Sequence, residues 1–422
     1  MEIRHAVIDD AKDIIKILAE AFKRDDWKEG TENYIKQLEK VSKSIDNWRV
    51  LVDNGKIIGT LEIKRHKLRI GKSVIIKGDV GEVSVLPEYQ GKGYGSKLME
   101  DAILWMKKER YDISRLGGLV KFYSRFGYIR FPRRYIEITV GTKARAGASI
   151  VEEGEVPIDE KLLSKIRAFD PEKDFTSYID LVERFETRYN GSLVREKPLT
   201  ANDIEVGPLF FVFVEDGKVV GYFSGCMYEK DLGGPEGMLT IYNIGYEWER
   251  PYVLKTLISY INNLGYREGI KRITIRIPFD PEIIKTISEI PVRFQVIETY
   301  GGTSGNMMQI INLKSLFERL VPELEERLKN STSSFNGILE IAIEKDSVKI
   351  EINKGKIKVI EDKKPDKRVE IKEFYLLQLV LGLISFSEIE EMLDKGEKLK
   401  VEEREVLRTL FPRKLVFSSI WG

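Results

Sequence analysis

The chain has 422 residues, of which 42% are hydrophobic and 32% charged, and 69 Lys and Arg against 68 Asp and Glu leave a net charge of +1. At about 150 residues per domain this is enough for two or three packed units, and the balanced charge gives no footprint for nucleic acid. One cysteine, Cys226, excludes an internal disulfide, and with two histidines no Cys/His zinc cluster can be assembled, so no metal is expected.

The start, Met1-Glu2-Ile3-Arg4-His5, has no apolar run behind a basic stub, which argues against a signal peptide. No run reaches the roughly 18 apolar residues of a bilayer span, so a cytoplasmic protein without a membrane partner is expected. Five glutamines among abundant Lys, Glu and Ile fit a heat-adapted source.

In chain order, the pattern predicts a strand at 2–7, helices at 10–22 and 31–44, strands at 48–53, 56–66 and 73–85, and a helix at 95–110. A strand at 112–117, a helix at 119–127 and a strand at 129–140 complete this unit. Gly141 to Glu160 has no clear periodicity and marks a boundary.

The unit then repeats. Val50-Leu-Val-Asp-Asn-Gly-Lys-Ile-Ile-Gly59 reads almost as Val212-Phe-Val-Glu-Asp-Gly-Lys-Val-Val-Gly221, each with a hairpin dipeptide, at an offset of 162. Ile3-Arg4 with its following helix matches Ile166-Arg167 at an offset of 163. Two matches in order at nearly one offset argue for duplication. After about Leu313 the pattern changes: an amphipathic helix at 314–328, strands at 338–345, 347–353 and 356–361, then helices at 371–385, 387–395 and 401–410. Strands in a block before helices in a block predict an α+β unit. The expected division is therefore 1–145, 146–313 and 314–422, and the expected fold class is α/β and α+β multidomain.

Chemistry concentrates in Val80-Gly-Glu-Val-Ser-Val-Leu-Pro-Glu-Tyr-Gln-Gly-Lys-Gly-Tyr-Gly-Ser-Lys-Leu-Met99. A strand enters a glycine-rich turn that opens a helix, and free N–H groups with the helix dipole there accept an anion such as phosphate. Gly91, Gly93 and Gly95 allow the backbone to approach it without Cβ interference. A P-loop is excluded by the missing Gly-Lys-Ser/Thr ending, and a Rossmann turn would sit at the first strand.

Gln90-x-x-Gly93-x-Gly95 behind Val83-x-Val85-x-Pro87, followed by Phe122-Tyr-Ser-Arg-Phe-Gly-Tyr128, resembles the paired motifs of the GNAT acetyltransferase superfamily. The resemblance implies acetyl-CoA as cosubstrate, with the backbone of Val83, Ser84 and Val85 meeting its pantetheine arm. The Gln90, Gly91, Lys92, Gly93, Tyr94, Gly95 and Ser96 stretch would hold the pyrophosphate, the side chains of Lys92 and Tyr94 being open between coenzyme contact and solvation. The second unit has Ile244-Gly-Tyr-Glu-Trp-Glu-Arg-Pro-Tyr252 at the equivalent place; without a glycine turn, and with Glu247 and Glu249, it is expected to bind no coenzyme.

Two GNAT-like units and an α+β tail resemble the enhanced-intracellular-survival (Eis) acetyltransferases, whose third domain is similar to sterol carrier proteins. That implies two tandem GNAT folds, each a mixed, mostly antiparallel sheet with flanking helices, and a homo-oligomer, a trimer or hexamer. The acceptor would be a primary amine of a small polyamine- or aminoglycoside-like molecule. A protein lysine or N-terminus is the alternative acceptor, and a lipid-carrier or assembly module is the reading without catalysis.

By the same resemblance Tyr123 is the proton donor to the departing thiolate and Tyr128 a packing residue. The carboxylate of the terminal Gly422, at the end of an apolar tail from Leu415, is the expected base; Glu82, Asp79 and a water are its alternatives. His5 and His66 are expected at the surface, Cys226 outside the chemistry, and Lys121, Arg125, Arg130, Arg133 and Arg134 on a solvated face.

Overall fold

The computed structural model describes residues 1–140, 142–144, 151–195, 198–204, 206–228, 237–393 and 399–417. The first part comprises β1 (Glu2–His5), α1 (Ala11–Phe22), α2 (Glu32–Lys43), β2 (Trp48–Asp53), β3 (Lys56–Ile70), β4 (Ser73–Val85), α3 (Tyr94–Lys108), β5 (Ile113–Leu119), the single turn α4 (Val120–Tyr123) and β6 (Ile129–Arg130). Next come β7 (Arg133–Thr139), the antiparallel pair β8 (Thr142–Ala144) and β9 (Val151–Glu153), α5 (Glu160–Leu163), β10 (Ile166–Ala168), α6 (Pro171–Glu186), β11 (Leu209–Glu215), β12 (Lys218–Tyr228) and β13 (Met238–Tyr246). They are followed by α7 (Pro251–Arg267), β14 (Arg272–Ile275), α8 (Pro281–Ser288), β15 (Arg293–Thr299) and β16 (Ser304–Ile310).

These strands form two seven-stranded sheets, β1-β2-β3-β4-β5-β16-β6 and β10-β11-β12-β13-β14-β7-β15. Pairing is antiparallel except for β4 with β5 and β13 with β14. The fold class is α/β, with mixed, mostly antiparallel sheets and flanking helices.

The sheets trade strands, and this corrects the expected strand at 129–140. Pro132 cannot donate to a ladder, and the stretch breaks there into β6 in the first sheet and β7 in the second. In return β16, from far along the chain, enters the first sheet between β5 and β6. Arg115 binds across this exchange, its Nε donating to Asn306 Oδ1 at 2.8 Å.

The repeated sequence appears as repeated geometry. Asn54-Gly55 and Asp216-Gly217 all have positive φ, as a two-residue hairpin turn requires. Both hairpins carry a register shift at the same place, between Leu51 and Val52 and between Phe213 and Val214. Arg4 clamps Asp10 with two hydrogen bonds, at 2.6 and 3.0 Å, and Arg167 clamps Asp174 likewise at 2.6 and 2.7 Å.

The last part comprises α9 (Leu313–Lys329), β17 (Gly337–Ile343), β18 (Asp346–Asn353), β19 (Lys356–Ile360), β20 (Lys367–Glu370), α10 (Glu373–Leu381), α11 (Glu390–Leu393) and α12 (Val401–Leu410). Its sheet runs β19-β18-β17-β20, and β20 pairs parallel with β17. β20 escapes the sequence pattern because Lys-Arg-Val-Glu offers only Val369 to the core. Leu316, Phe317 and Leu320 of α9 share one apolar core with Leu68, Ile70 and Ile75 of the first sheet and Leu339 and Ile341 of the four-stranded one.

Asn190, itself buried, pins three segments together. Its Oδ1 accepts from Gly71 N at 3.0 Å, its Nδ2 donates to the Leu381 carbonyl at 3.1 Å, and its carbonyl accepts from Phe417 N at 2.7 Å. No helix among the described residues is long and apolar enough to cross a membrane.

Candidate active site

The glycine turn is built as an amide cradle. After a short turn at Pro87–Tyr89, Gly91 and Gly93 adopt φ of +75° and +85°, and Gly93 is the N-cap residue of α3 with no side-chain cap. Only glycine takes such φ values without strain. The amides of Ser96 and Lys97 return to the Gly93 carbonyl at 3.1 and 3.2 Å, whereas those of Gly91 to Gly95 have no acceptor among the described residues. Five unpaired N–H groups at a helix N-terminus form a ready anion site. The engaged Ser96 amide is therefore not one of the available donors.

Side chains fix the turn from outside. Gln90 Nε2 donates to the Val85 carbonyl at 2.9 Å, joining strand end to turn. Lys92 Nζ donates to the Glu88 carbonyl at 2.9 Å and lies over the Tyr89 ring, and Tyr94 meets Tyr89 edge-on. Arg125 stacks on Phe122 and reaches Ser96 Oγ at 3.5 Å, which brings a cation beside the cradle.

Next to the turn, β4 parts from β5. Their pairing covers only Lys77–Val80 against Ile113–Leu116, and beyond it β5 pairs with β16. Glu82 has φ of +54°, and the β3–β4 register slips between Thr60 and Glu62. This bulge turns Gly81–Val85 away from β5, so one backbone edge of Val83, Ser84 and Val85 lacks a strand partner. Ser84 and Val85 are buried and Val83 is half-buried.

Tyr123 lies on the β5 side of this cleft. Its ring sits on Gly118, where a Cβ would fall 2.3 Å from Tyr123 Cε2, and it meets Phe122 edge-on at 4.9 Å between centroids. Its hydroxyl has no hydrogen-bond partner among the described residues, and burial raises its pKa above the usual phenol value. Tyr128, by contrast, is sealed in the core with its hydroxyl 2.7 Å from Ser114 Oγ.

Beside the divergence point, a cavity of about 650 Å³ opens between the two sheets, touching β4 at Val80, Gly81 and Glu82. Its other walls come from β3, β5, β7, β13 and β14. The exchange of β7 makes this enclosure, since Arg133 and Tyr135 enter it from a strand of the second sheet. Asp79 is held there by Lys77 at 3.0 Å and His66 at 3.3 Å. Glu62, buried and 3.2 Å from Lys64, has its carboxyl pKa raised chiefly by that burial.

Two surface expectations are corrected here. His66 lines the cavity, because the polar face of β3 is covered by the second sheet. The basic run also divides: Arg133 and Arg134 line the cavity, Arg125 faces the cradle, and Arg130 Nη2 binds the Gly302 carbonyl at 3.0 Å. His5 is exposed against Trp105. Glu62, Arg115 and Arg276 join the site without having been singled out from sequence; the strand-face alternation of 62, 64 and 66 was the available signal.

In the second unit the turn at 247–250 is occupied by ion pairs. Glu247 binds Arg184 at 3.1 Å and Arg250 at 2.9 Å, and Arg188 lies over Trp248. The apolar tail packs nearby: Phe417 is buried against Phe185 and Tyr189, and Val416 in the core shared with the last unit. Gly422, the expected base, lies outside the described residues.

Comparison with known proteins places this geometry. Residues 2–130 match the model of the acetyltransferase (GNAT) domain. An uncharacterized N-acetyltransferase of Archaeoglobus fulgidus is 30% identical over 121 residues, covering 28% of this chain and 80% of that protein. The chain belongs to the GNAT acetyltransferase family. Over nearly the whole chain the fold is similar to that of a conserved protein of unknown function, a probable N-acyltransferase, from Enterococcus faecalis V583 (TM-score 0.67, 14% identity, covering 99% of this chain and 97% of that one). It is also similar to Eis1 from Mycobacterium abscessus (TM-score 0.60, 14% identity, 99% of both chains). As a GNAT enzyme the protein is an acetyltransferase, and the cradle, the diverging strands and Tyr123 all fall inside the matched domain.

Proposed function

We propose that the protein transfers the acetyl group of acetyl-CoA to a primary amine of a small molecule held in the cavity between the sheets. The observation that carries this reading is the row of unpaired amides from Gly91 to Gly95 at the start of α3, next to a strand edge left open by the bulge at Glu82. Such a cradle suits a pyrophosphate, and the open edge of Val83–Val85 suits the amide groups of a pantetheine arm. Arg125 stands where a further phosphate oxygen would be met.

Acetyl-CoA supplies the activated thioester; the chain must supply proton management and position. Tyr123, kept protonated by its raised pKa and with a free hydroxyl, donates to the leaving sulfur. The acceptor amine must lose its proton to attack. For that step we propose the Gly422 carboxylate, supported by the Eis resemblance and by the anchored residues Val416 and Phe417 before it. A second reading, Glu62, is favoured by its buried, pKa-raised carboxyl on the cavity wall. Appending a few residues to Gly422 distinguishes them: turnover falls heavily if the terminus is the base and persists if Glu62 is.

We further propose the division 1–145, 146–313 and 314–422, with two tandem GNAT units exchanging one strand each and the second devoid of coenzyme. A sterol-carrier-like last unit and a trimeric or hexameric assembly rest on the resemblance, and a cytoplasmic location rests on the sequence pattern alone. A polyamine or aminoglycoside acceptor rests on it alone.

Calorimetry with acetyl-CoA and a thiol-release assay over an amine panel test the proposal. Binding with amine-dependent release is expected; absence of both would overturn it.

A further inference from the structure

The acceptor cavity carries a charge that the polycationic acceptors do not match. Six Lys and Arg side chains line it against three carboxylates, Glu62, Asp79 and Glu82. Of the six, Lys64 is paired with Glu62, Lys77 with Asp79, and Arg134 with Glu298. Three guanidinium groups remain, Arg115, Arg133 and Arg276, and none has a carboxylate within ion-pair distance among the described residues.

These three converge from different segments, Arg115 from β5, Arg133 from β7 and Arg276 from the residue just after β14. Arg133 Nε is buried without a hydrogen-bond partner. Burial and the nearness of Arg115 and Arg276 push the Arg133 pKa down to about 10, and burial lowers that of Arg115, with Asp79 across the strand pair opposing the shift and Arg276 adding to it. Half-buried like charges repel strongly where water is scarce. A cluster of this kind is relieved by an anion, which guanidinium groups bind with paired, charge-assisted hydrogen bonds.

The cavity is also polarised. All three carboxylates stand on β3 and β4, next to the point where β4 parts from β5, whereas the three arginines without an ion pair among the described residues stand on β5, on β7 and just after β14. One wall thus suits an amine beside the expected thioester, and the other suits a negative group on the same molecule. About 650 Å³ accommodates a small metabolite.

Building on the acetyl-CoA-dependent reading above, we propose that the acceptor is a small amine bearing an anionic group, a carboxylate or phosphate, which Arg115, Arg133 and Arg276 bind while the amine faces Gly81 and Glu82. The base takes one proton from the ammonium, the neutral nitrogen attacks the acetyl carbonyl carbon, the carbon–sulfur bond breaks, the thiolate takes the Tyr123 proton, and the second nitrogen proton restores the phenol of Tyr123. The products are an acetamide and the free thiol.

The test compares acetyl transfer to glutamate, glucosamine 6-phosphate, neutral glucosamine, spermidine and kanamycin, with calorimetric binding of N-acetylglutamate as a readout independent of turnover. Glutamate and glucosamine 6-phosphate separate the two anion sources. At least one anionic amine should exceed the neutral and polycationic ones in kcat/KM by tenfold or more. Arg276→Gln and Arg133→Gln should each shrink that preference by about 10–100-fold, the range of one charge-assisted hydrogen bond, and Arg276→Lys should restore part of it. Acetyl-CoA affinity should not change in these variants.

Preference for spermidine or kanamycin would overturn the inference while leaving the acetyltransferase reading intact. So would failure of wild-type protein to bind or acetylate either anionic probe class while it binds acetyl-CoA. A tenfold loss of acetyl-CoA affinity in the arginine variants would reassign the cluster to the coenzyme. Loss of acetyl-CoA binding by the wild-type protein would overturn the underlying reading instead.

Discussion

Gly118→Ala offers a sharp test of how the proposed acid is held. The new Cβ would lie 2.3 Å from Tyr123 Cε2, 3.0 Å from Cδ2 and 3.3 Å from Cζ. Ordinary carbon contact begins near about 3.5 Å, so the ring must retreat by roughly 1 Å or β5 must bend. β5 is held by β4 on one side over Ile113–Leu116 and by β16 on the other over its whole length, so the ring is the part that moves. A displacement of about 1 Å at a reacting group costs on the order of 10²-fold in rate. Turnover should therefore fall by that amount with acetyl-CoA affinity nearly unchanged, because the amide cradle is not touched.

Steady-state thiol release and calorimetry on four proteins decide the matter: wild type, Gly118→Ala, Tyr123→Phe and the double variant. Tyr123→Phe should lower kcat by about 10²–10⁴-fold, the usual contribution of a positioned acid. If Gly118 acts through the phenol, adding Gly118→Ala to Tyr123→Phe costs little more. Wild-type turnover in Gly118→Ala, or full multiplication of the two effects in the double variant, would refute the reasoning.

Three further outcomes follow from the same geometry. Gly93→Asp should abolish acetyl-CoA binding by calorimetry with the circular dichroism unchanged, since it adds a Cβ at φ +85° and a carboxylate at the cradle; retained affinity would displace the coenzyme site. If Glu62 is the base, its raised carboxyl pKa sets the acid limb of kcat/KM above the ordinary glutamate range: activity is lost as pH falls through that value, and Glu62→Gln removes the limb. Asn190→Ala strips the acceptor from the part-buried Gly71 amide and the donor from the buried Leu381 carbonyl and should cost about 1–3 kcal/mol in urea unfolding; a change below about 0.5 kcal/mol would mean that water takes over both partners.

What was legible in the sequence is what is local. The Asn54-Gly55 and Asp216-Gly217 hairpins and the Gln90–Ser96 turn rest on backbone conformations that a few adjacent residues dictate, and they form where their motifs stand. The exchange of β7 and β16 rests on pairings between residues far apart, such as Arg134 with Glu298, and no local pattern encodes which sheet a strand joins. That exchange hid the cavity between the sheets as well. Glu62, Lys64 and His66 alternate along β3 like any solvated strand face, and Arg133 and Arg134 read as a surface run. They become a site because β13 and β14 close over them.

The central claim is that acetyl-CoA occupies the first unit with its thioester between Tyr123 and the cavity, and a crystal structure of the acetyl-CoA complex tests it most directly. The pyrophosphate should accept from amides between Gly91 and Gly95, the pantetheine arm should run along Val83–Val85, and the sulfur should lie within hydrogen-bond reach of Tyr123 Oη. Coenzyme bound at the Glu247–Pro251 turn of the second unit, or with its thioester remote from Tyr123, would contradict the account.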